Sequence, residues 1–132
     1  NKELLKWLLQ SDLVPVISPI GFDKSFETFN INADIMAGSV ASNINSERLI
    51  LLTDVDGVLD KKGNLLTEIS LNDIKKLIKN GTISGGMIPK IETCVNAVRE
   101  GVKAAVILNG KVPHAILLEI FTERGVGTLI TS

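Results

Sequence analysis

The sequence predicts an α/β fold, a three-layer sandwich around a mostly parallel central sheet. Three observations predict it. "RLILLT" (48–53) and "AAVIL" (104–108) are continuous apolar runs, the pattern of strands buried on both faces. Helical and strand patterns alternate along the chain, the order that parallel strands with helical crossovers require. At 132 residues the chain has the size of one domain, enough to bury roughly two thirds of its unfolded surface.

Leu4, Leu5, Leu8 and Leu9 recur at helical spacing among Lys2, Glu3 and Lys6, which predicts a helix over 2–10. "VPVIS" (14–18) reads as a strand, with Pro15 at its start or on an edge. "FDKSFETFNI" alternates loosely, as a hairpin arm does, and "ADIMAGSVASNI" (33–44) reads as a helix capped by Asn32. After the 48–53 strand, "DVDGVLDKKGN" is a polar loop with turn signals. "SLNDIKKLIKNG" carries a Ser70 cap, apolar residues at 71, 74, 77 and 78, and a stop at Gly81. A helix from about Met87 ends at Gly101; "KAAVILN" is a strand, "HAILLEIFTE" a helix and "GVGTLITS" a closing strand.

Hydrophobic residues make up 45% and charged residues 22%, an ordinary globular balance, and a formal charge of -1 with no basic run speaks against nucleic-acid binding. The apolar runs are too short to cross a bilayer, and nothing at the start reads as a signal peptide. The lone Cys94 leaves no partner for an internal disulfide and fits a reducing compartment, so a cytoplasmic location is expected. The sequence opens on Asn1 rather than Met; a trimmed start and an absent preceding part both remain open.

The chemistry gathers in two loops that follow strands or precede helices, where α/β proteins bind ligands. In "GTISGGMIPK" (81–90), Gly85 and Gly86 bare the backbone, and Pro89 suits a first helical turn. The unpaired amides at that helix start make an anion site. Lys90 then opposes the helix dipole, and its own helix face offers only Thr93 and Cys94, with no carboxylate. A bound phosphate would reverse the sign; a buried acid holding the Lys90 ammonium would remove the need for one. The stretch lacks the spacing of a Walker loop.

"LILLTDVDGVLD" invites two other readings. An apolar strand followed by D-x-D-G resembles the haloacid-dehalogenase-like phosphatases, with Asp54 as nucleophile and Asp56 as acid and base, but no later paired acids follow to hold Mg²⁺. An EF-hand fails because the glycine falls at the fourth loop position and Leu65 stands at the twelfth. A nucleotide-contacting loop and a plain polar turn remain.

Together, "VPVISPIG", "NINAD", "LILLTDVDGVLD", "GTISGGMIPKIE" and "AVILNGKVPHAILLEIFTERGVGTLI" resemble the acetylglutamate kinases of the amino acid kinase family. The resemblance runs over essentially the whole chain. The aminoadipate-carrier kinases of lysine biosynthesis share these features. The resemblance implies that Lys90 stabilises charge on the transferred phosphoryl group and that Asp34 organises the catalytic lysines. It implies that Asn30, with Asn32 beside it, binds N-acetyl-L-glutamate. The loops Thr53, Asp54, Gly57, Val58 and Leu59, and Thr82, Ile83, Ser84, Gly85, Gly86 and Met87, would hold ATP, with Mg²⁺ carried mainly by the phosphates and no protein metal cage. Glu119 and Gly125 match a region used for arginine feedback in regulated relatives. Asp56 stands where many relatives have a small residue or proline.

The family's opening strand, its lysine-bearing glycine loop and its substrate arginine have no counterpart here. The expectation is therefore a carboxyl-terminal half: residues 1–45 a remnant of the substrate lobe, residues 46–132 the ATP lobe. The implied activity is ATP-dependent phosphorylation of the acetylglutamate side-chain carboxylate in arginine biosynthesis, by a full-length enzyme that is a homo-oligomer, the fragment being inactive alone. A phosphatase using Asp54 and a catalytically silent nucleotide-binding module are the other classes. His114 is expected to be structural or a cap, and Cys94 to lie in the core.

Overall fold

The computed structural model describes residues 1–132, in which eleven elements follow one another: α1 (Lys2–Gln10), β1 (Ile20–Phe22), β2 (Thr28–Asn30), α2 (Ala33–Asn43), β3 (Arg48–Thr53), β4 (Glu68–Ser70), α3 (Leu71–Lys79), α4 (Met87–Arg99), β5 (Ala104–Asn109), α5 (Ala115–Phe121) and β6 (Thr128–Thr131). The main sheet has the order β3-β5-β6-β4. β3 pairs with β5 in parallel and β4 with β6 in parallel, while β5 and β6 run antiparallel. Two of the three ladders are thus parallel, and β3 is an outer strand paired on one side only.

Period-two alternation divides the sheet's side chains between two faces. Leu49, Leu51, Ala105, Ile107 and Ile130 enter the larger core with residues of α2, α3 and α4. Val106 and Leu108 point the other way, toward Ala115 of α5, with Ile50 and Leu129 beside them. Helices on both faces give the three layers. α4 is the central helix because Ile91, Cys94, Val95 and Val98, at helical spacing, are all buried.

The helix ends are chemically specified. The Asn32 side chain accepts from the Asp34 and Ile35 amides, and the Ser70 hydroxyl accepts from the Asp73 amide. α4 closes on Gly101 at φ +107, with the Gly101 amide donating to Val98 and the Val102 amide to Ala97. That is the paired C-terminal bonding for which a left-handed residue is needed.

Two expectations need correction. Residues 14–18 form no strand: they pair with no other strand, and Val16 is 96% exposed. The strand character lies just beyond, where β1 and β2 make a separate antiparallel hairpin. β4 was not anticipated, since three residues carry too little alternation to read; it exists because it pairs with β6. α1 folds where expected but buries none of its residues, and its Asn1 side chain caps its amino end.

Connectivity sets the functional end of the molecule. α2 and α4 lead into the parallel strands β3 and β5, so both helices start near the carboxyl ends of those strands. The loop after Thr53 and the turn after Asn109 leave from the same end, because Thr53 and Asn109 are register partners.

Candidate functional site

At this end Lys90 Nζ donates to Asp34 Oδ2 at 2.8 Å, joining the first turns of α4 and α2 across 56 positions of sequence. The two side chains are 24% and 23% exposed, neither free in solvent nor sealed in the core. Asp34 sits favourably at the positive end of α2. Lys90 therefore has a carboxylate partner, although its own helix face offers none. The partner comes from another helix, where spacing along α4 cannot reveal it. The pair remains accessible, so a ligand can still reach the ammonium.

Beside it lies the glycine loop. The Met87 and Ile88 amides donate back to the Ser84 and Gly85 carbonyls, so these are not free for an anion. The amides of Ser84, Gly85 and Gly86 donate to no protein acceptor and lie on an exposed loop. Gly85 has φ +53, which favours glycine. Gly86 has helical torsions and open space where a Cβ would stand, so neither strain nor crowding within the protein requires a glycine there. A bare backbone at that point suits the close approach of a ligand.

The acidic loop is pinned from several sides. The Val58 amide donates to Thr128 Oγ1 at 2.8 Å, and the Gly110 amide to the Thr53 carbonyl at 2.8 Å. A Cβ on Gly57, at φ +142, would meet Thr128 Oγ1 at 2.6 Å. Asn109 Nδ2 donates to Asp56 Oδ1 at 2.8 Å, and Asn109 Oδ1 accepts from the Lys111 amide at 2.9 Å. Thr53 Oγ1 donates to Asp54 Oδ1 at 3.4 Å. Asn109 and Thr128 are supporting residues that sequence reading missed. Asn109 left one signal, a polar residue ending an apolar strand.

The anticipated residues thus divide. Lys90, Asp34, Asn32, Ser84, Gly85, Gly86 and Met87 cluster at the starts of α2 and α4; Thr53 ends β3, and Asp54, Asp56 and Leu59 lie on the loop leaving it. Val58 and Ile83, at 2% and 1% exposure, turn into the core, and their amides are already used, so they anchor their loops. The Thr82 amide donates to Asn80 Oδ1, a bond that shapes the turn. Asn32 spends its carbonyl on the helix cap, leaving only its amide nitrogen for a ligand. Asn30 is exposed at the end of β2. No three His, Cys, Asp or Glu side chains converge into a group that would grip a metal.

Glu119 and Gly125 belong to α5 and the turn before β6, on the other face of the sheet from α4. The buried Glu119 carboxylate accepts from the Val126 amide at 2.9 Å and the Gly127 amide at 3.3 Å, with Arg48 at 4.0 Å. A Cβ on Gly125 would strike that carboxylate. A polar cleft of about 480 Å³ opens here, lined by Arg48, Glu68, Glu119, Arg124 and Gly125 among others. None of the residues around Lys90 lines this cleft.

Burial foremost, and then the Asp34 carboxylate, push the Cys94 thiol up to about 12, with Lys90 opposing. The thiol stays protonated and is no nucleophile at neutral pH.

Residues 1–109 match the amino acid kinase family. The chain is 57% identical over 132 residues to the acetylglutamate kinase of Bartonella tribocorum (strain CIP 105476 / IBS 506), covering all of this chain and 44% of that protein. It is 58% identical over 127 residues to the acetylglutamate kinase of Bradyrhizobium sp. (strain ORS 278), covering 96% of this chain and 43% of that protein. The chain therefore spans less than half the length of these curated relatives. Among solved structures, the N-acetylglutamate synthase from Neisseria gonorrhoeae complexed with coenzyme A and N-acetyl-glutamate superposes with a TM-score of 0.93 at 29% identity, over 99% of this chain and 30% of that one. Carbamate kinase from Giardia lamblia bound to AMP-PNP superposes at 0.72 with 21% identity, over 98% of this chain and 44% of that one, a likeness of fold alone.

Proposed function

The chain belongs to the amino acid kinase family, and from that premise we propose that it supplies the nucleotide-handling part of an acetylglutamate kinase. The proposed reaction moves the terminal phosphoryl group of ATP to the side-chain carboxylate of N-acetyl-L-glutamate. One observation carries the reading: an accessible lysine, held at 2.8 Å by an aspartate, stands beside three successive unpaired amides. That arrangement fits phosphoryl transfer, which asks for positioning and charge neutralisation more than for covalent help.

A carboxylate acceptor is already ionised at neutral pH, so no general base is needed. The Ser84, Gly85 and Gly86 amides bind phosphate oxygens at the head of α4, and Lys90 balances charge as the phosphoryl group moves. Asp34 fixes the ammonium and takes no proton. Asp54 and Leu59 form the wall of the nucleotide site on the β3 side, and Asn30 with the Asn32 amide nitrogen meets the acetylated amino acid. Mg²⁺ enters with ATP, carried on its phosphates. Residues 1–45 act as the substrate-facing lobe and 46–132 as the ATP lobe, in a cytoplasmic, homo-oligomeric full-length enzyme. The fragment alone is inactive, and the Glu119–Gly125 cleft is the candidate place for arginine feedback.

The test is made on this chain joined to the portion of the Bartonella tribocorum relative that it does not match. Lys90→Ala lowers kcat by about 10²–10³-fold, as loss of a charge-stabilising group does. An unaltered kcat refutes the role. A silent nucleotide-binding module is the second reading, favoured by the fold shared with a synthase. It predicts Mg·ATP binding with no turnover in the same joined protein.

A further inference from the structure

We infer that Gly38 is a positioning residue for the Lys90–Asp34 pair, setting the separation of α2 and α4 at which that pair closes. The role rests on the phosphoryl-transfer reading of the pair. Asp34 and Gly38 are one turn apart on α2; Lys90 and Thr93 are one turn apart on α4. The Gly38–Thr93 contact therefore lies one turn below the ion pair on both helices.

A Cβ on Gly38 would stand 2.8 Å from Thr93 Cγ2 and 3.8 Å from the Thr93 carbonyl oxygen. The first distance is well inside van der Waals contact, so either the threonine or a helix must yield. Thr93 has little freedom to do so, being buried and β-branched within a helix. Glycine is among the poorest residues for a helix interior, and Gly38 needs no positive φ. The close approach of α4 accounts for its presence. Any added carbon at position 38 wedges the helices apart next to a hydrogen bond of 2.8 Å, which tolerates little lengthening.

The test reads Lys90 itself. Lysines of the 132-residue chain are acylated with acetic anhydride and quantified by mass spectrometry, alongside thermal unfolding. In Gly38→Ala, Lys90 acylation rises several-fold toward the rate in Asp34→Asn, while Lys24 and Lys61 keep their rates. Adding Thr93→Ser, which removes the obstructing methyl, returns Lys90 to the parent rate. A Gly38→Ala chain with a lowered unfolding temperature and parent-like Lys90 acylation overturns the inference, because packing alone would then explain the glycine. If Gly38→Ala does not fold, the double variant decides: folded with Lys90 protected supports the role, folded with Lys90 reactive overturns it. Calorimetry of the parent chain with Mg·ATP is the separate arm. Absence of binding refutes the nucleotide reading, whatever the acylation pattern.

Discussion

Charge at the head of α4 is decided by two side chains that the sequence sets 56 residues apart. The glycine loop and the lysine were legible locally, because both depart from what a helix start prefers. Their partner was not legible by spacing; Asp34 entered only through the family's N-x-N-A-D pattern. Cys94 shows the same limit. Its place in the core followed from helical spacing, but its neighbourhood of Asp34 and Lys90 did not. The folded chain keeps the Cys94 proton up to about 12, against an ordinary 9.0. The unfolded chain gives up that proton first as pH rises, so folded-state stability falls between these two values. The slope contributed by this one group is at most about 1.4 kcal/mol per pH unit. Urea melts across that range, compared with Cys94→Ala, read the difference; equal slopes in both chains would show that the thiol is not shielded.

Elements were legible where they carry their own signal. β3 and β5 announce themselves as apolar runs, α3 by cap, period and stop, α2 by its Asn32 cap and α4 by its stop at Gly101. The failures have a common cause. A strand is defined by its neighbour, so "VPVIS", rich in β-branched residues, stays irregular without one, while three residues at 68–70 become β4 beside β6. The antiparallel turn of β6 against β5 was hidden for the same reason. The helix ends give a direct check. Ser70→Ala removes the acceptor for the Asp73 amide and costs about 1 kcal/mol in chemical denaturation. Gly127→Ala costs more, since the new Cβ would drive into the Ile107 backbone, and it lowers the denaturation midpoint well beyond the Ser70 variant. A smaller loss at Gly127 than at Ser70 would contradict the packing described between β5 and the turn before β6.

At the scale of the molecule, the sheet core is well buried, while α1 and the hairpin stand apart from it with apolar side chains turned outward. Leu4, Trp7, Phe22 and Phe26 are all exposed, an apolar surface that in water favours self-association. Sedimentation of the isolated chain is expected to show concentration-dependent association that Trp7→Glu weakens; a monomer at all concentrations would refute this. No helix is long and apolar enough to cross a membrane. The one-sided pairing of β3 has a consequence of its own. With β5 along a single flank, every second peptide group of residues 48–53 faces outward with nothing to hold it. Deuterium uptake should therefore flicker along that strand with a two-residue rhythm, one amide slow and the next fast. Any extended segment laid against the open flank would silence the fast ones first.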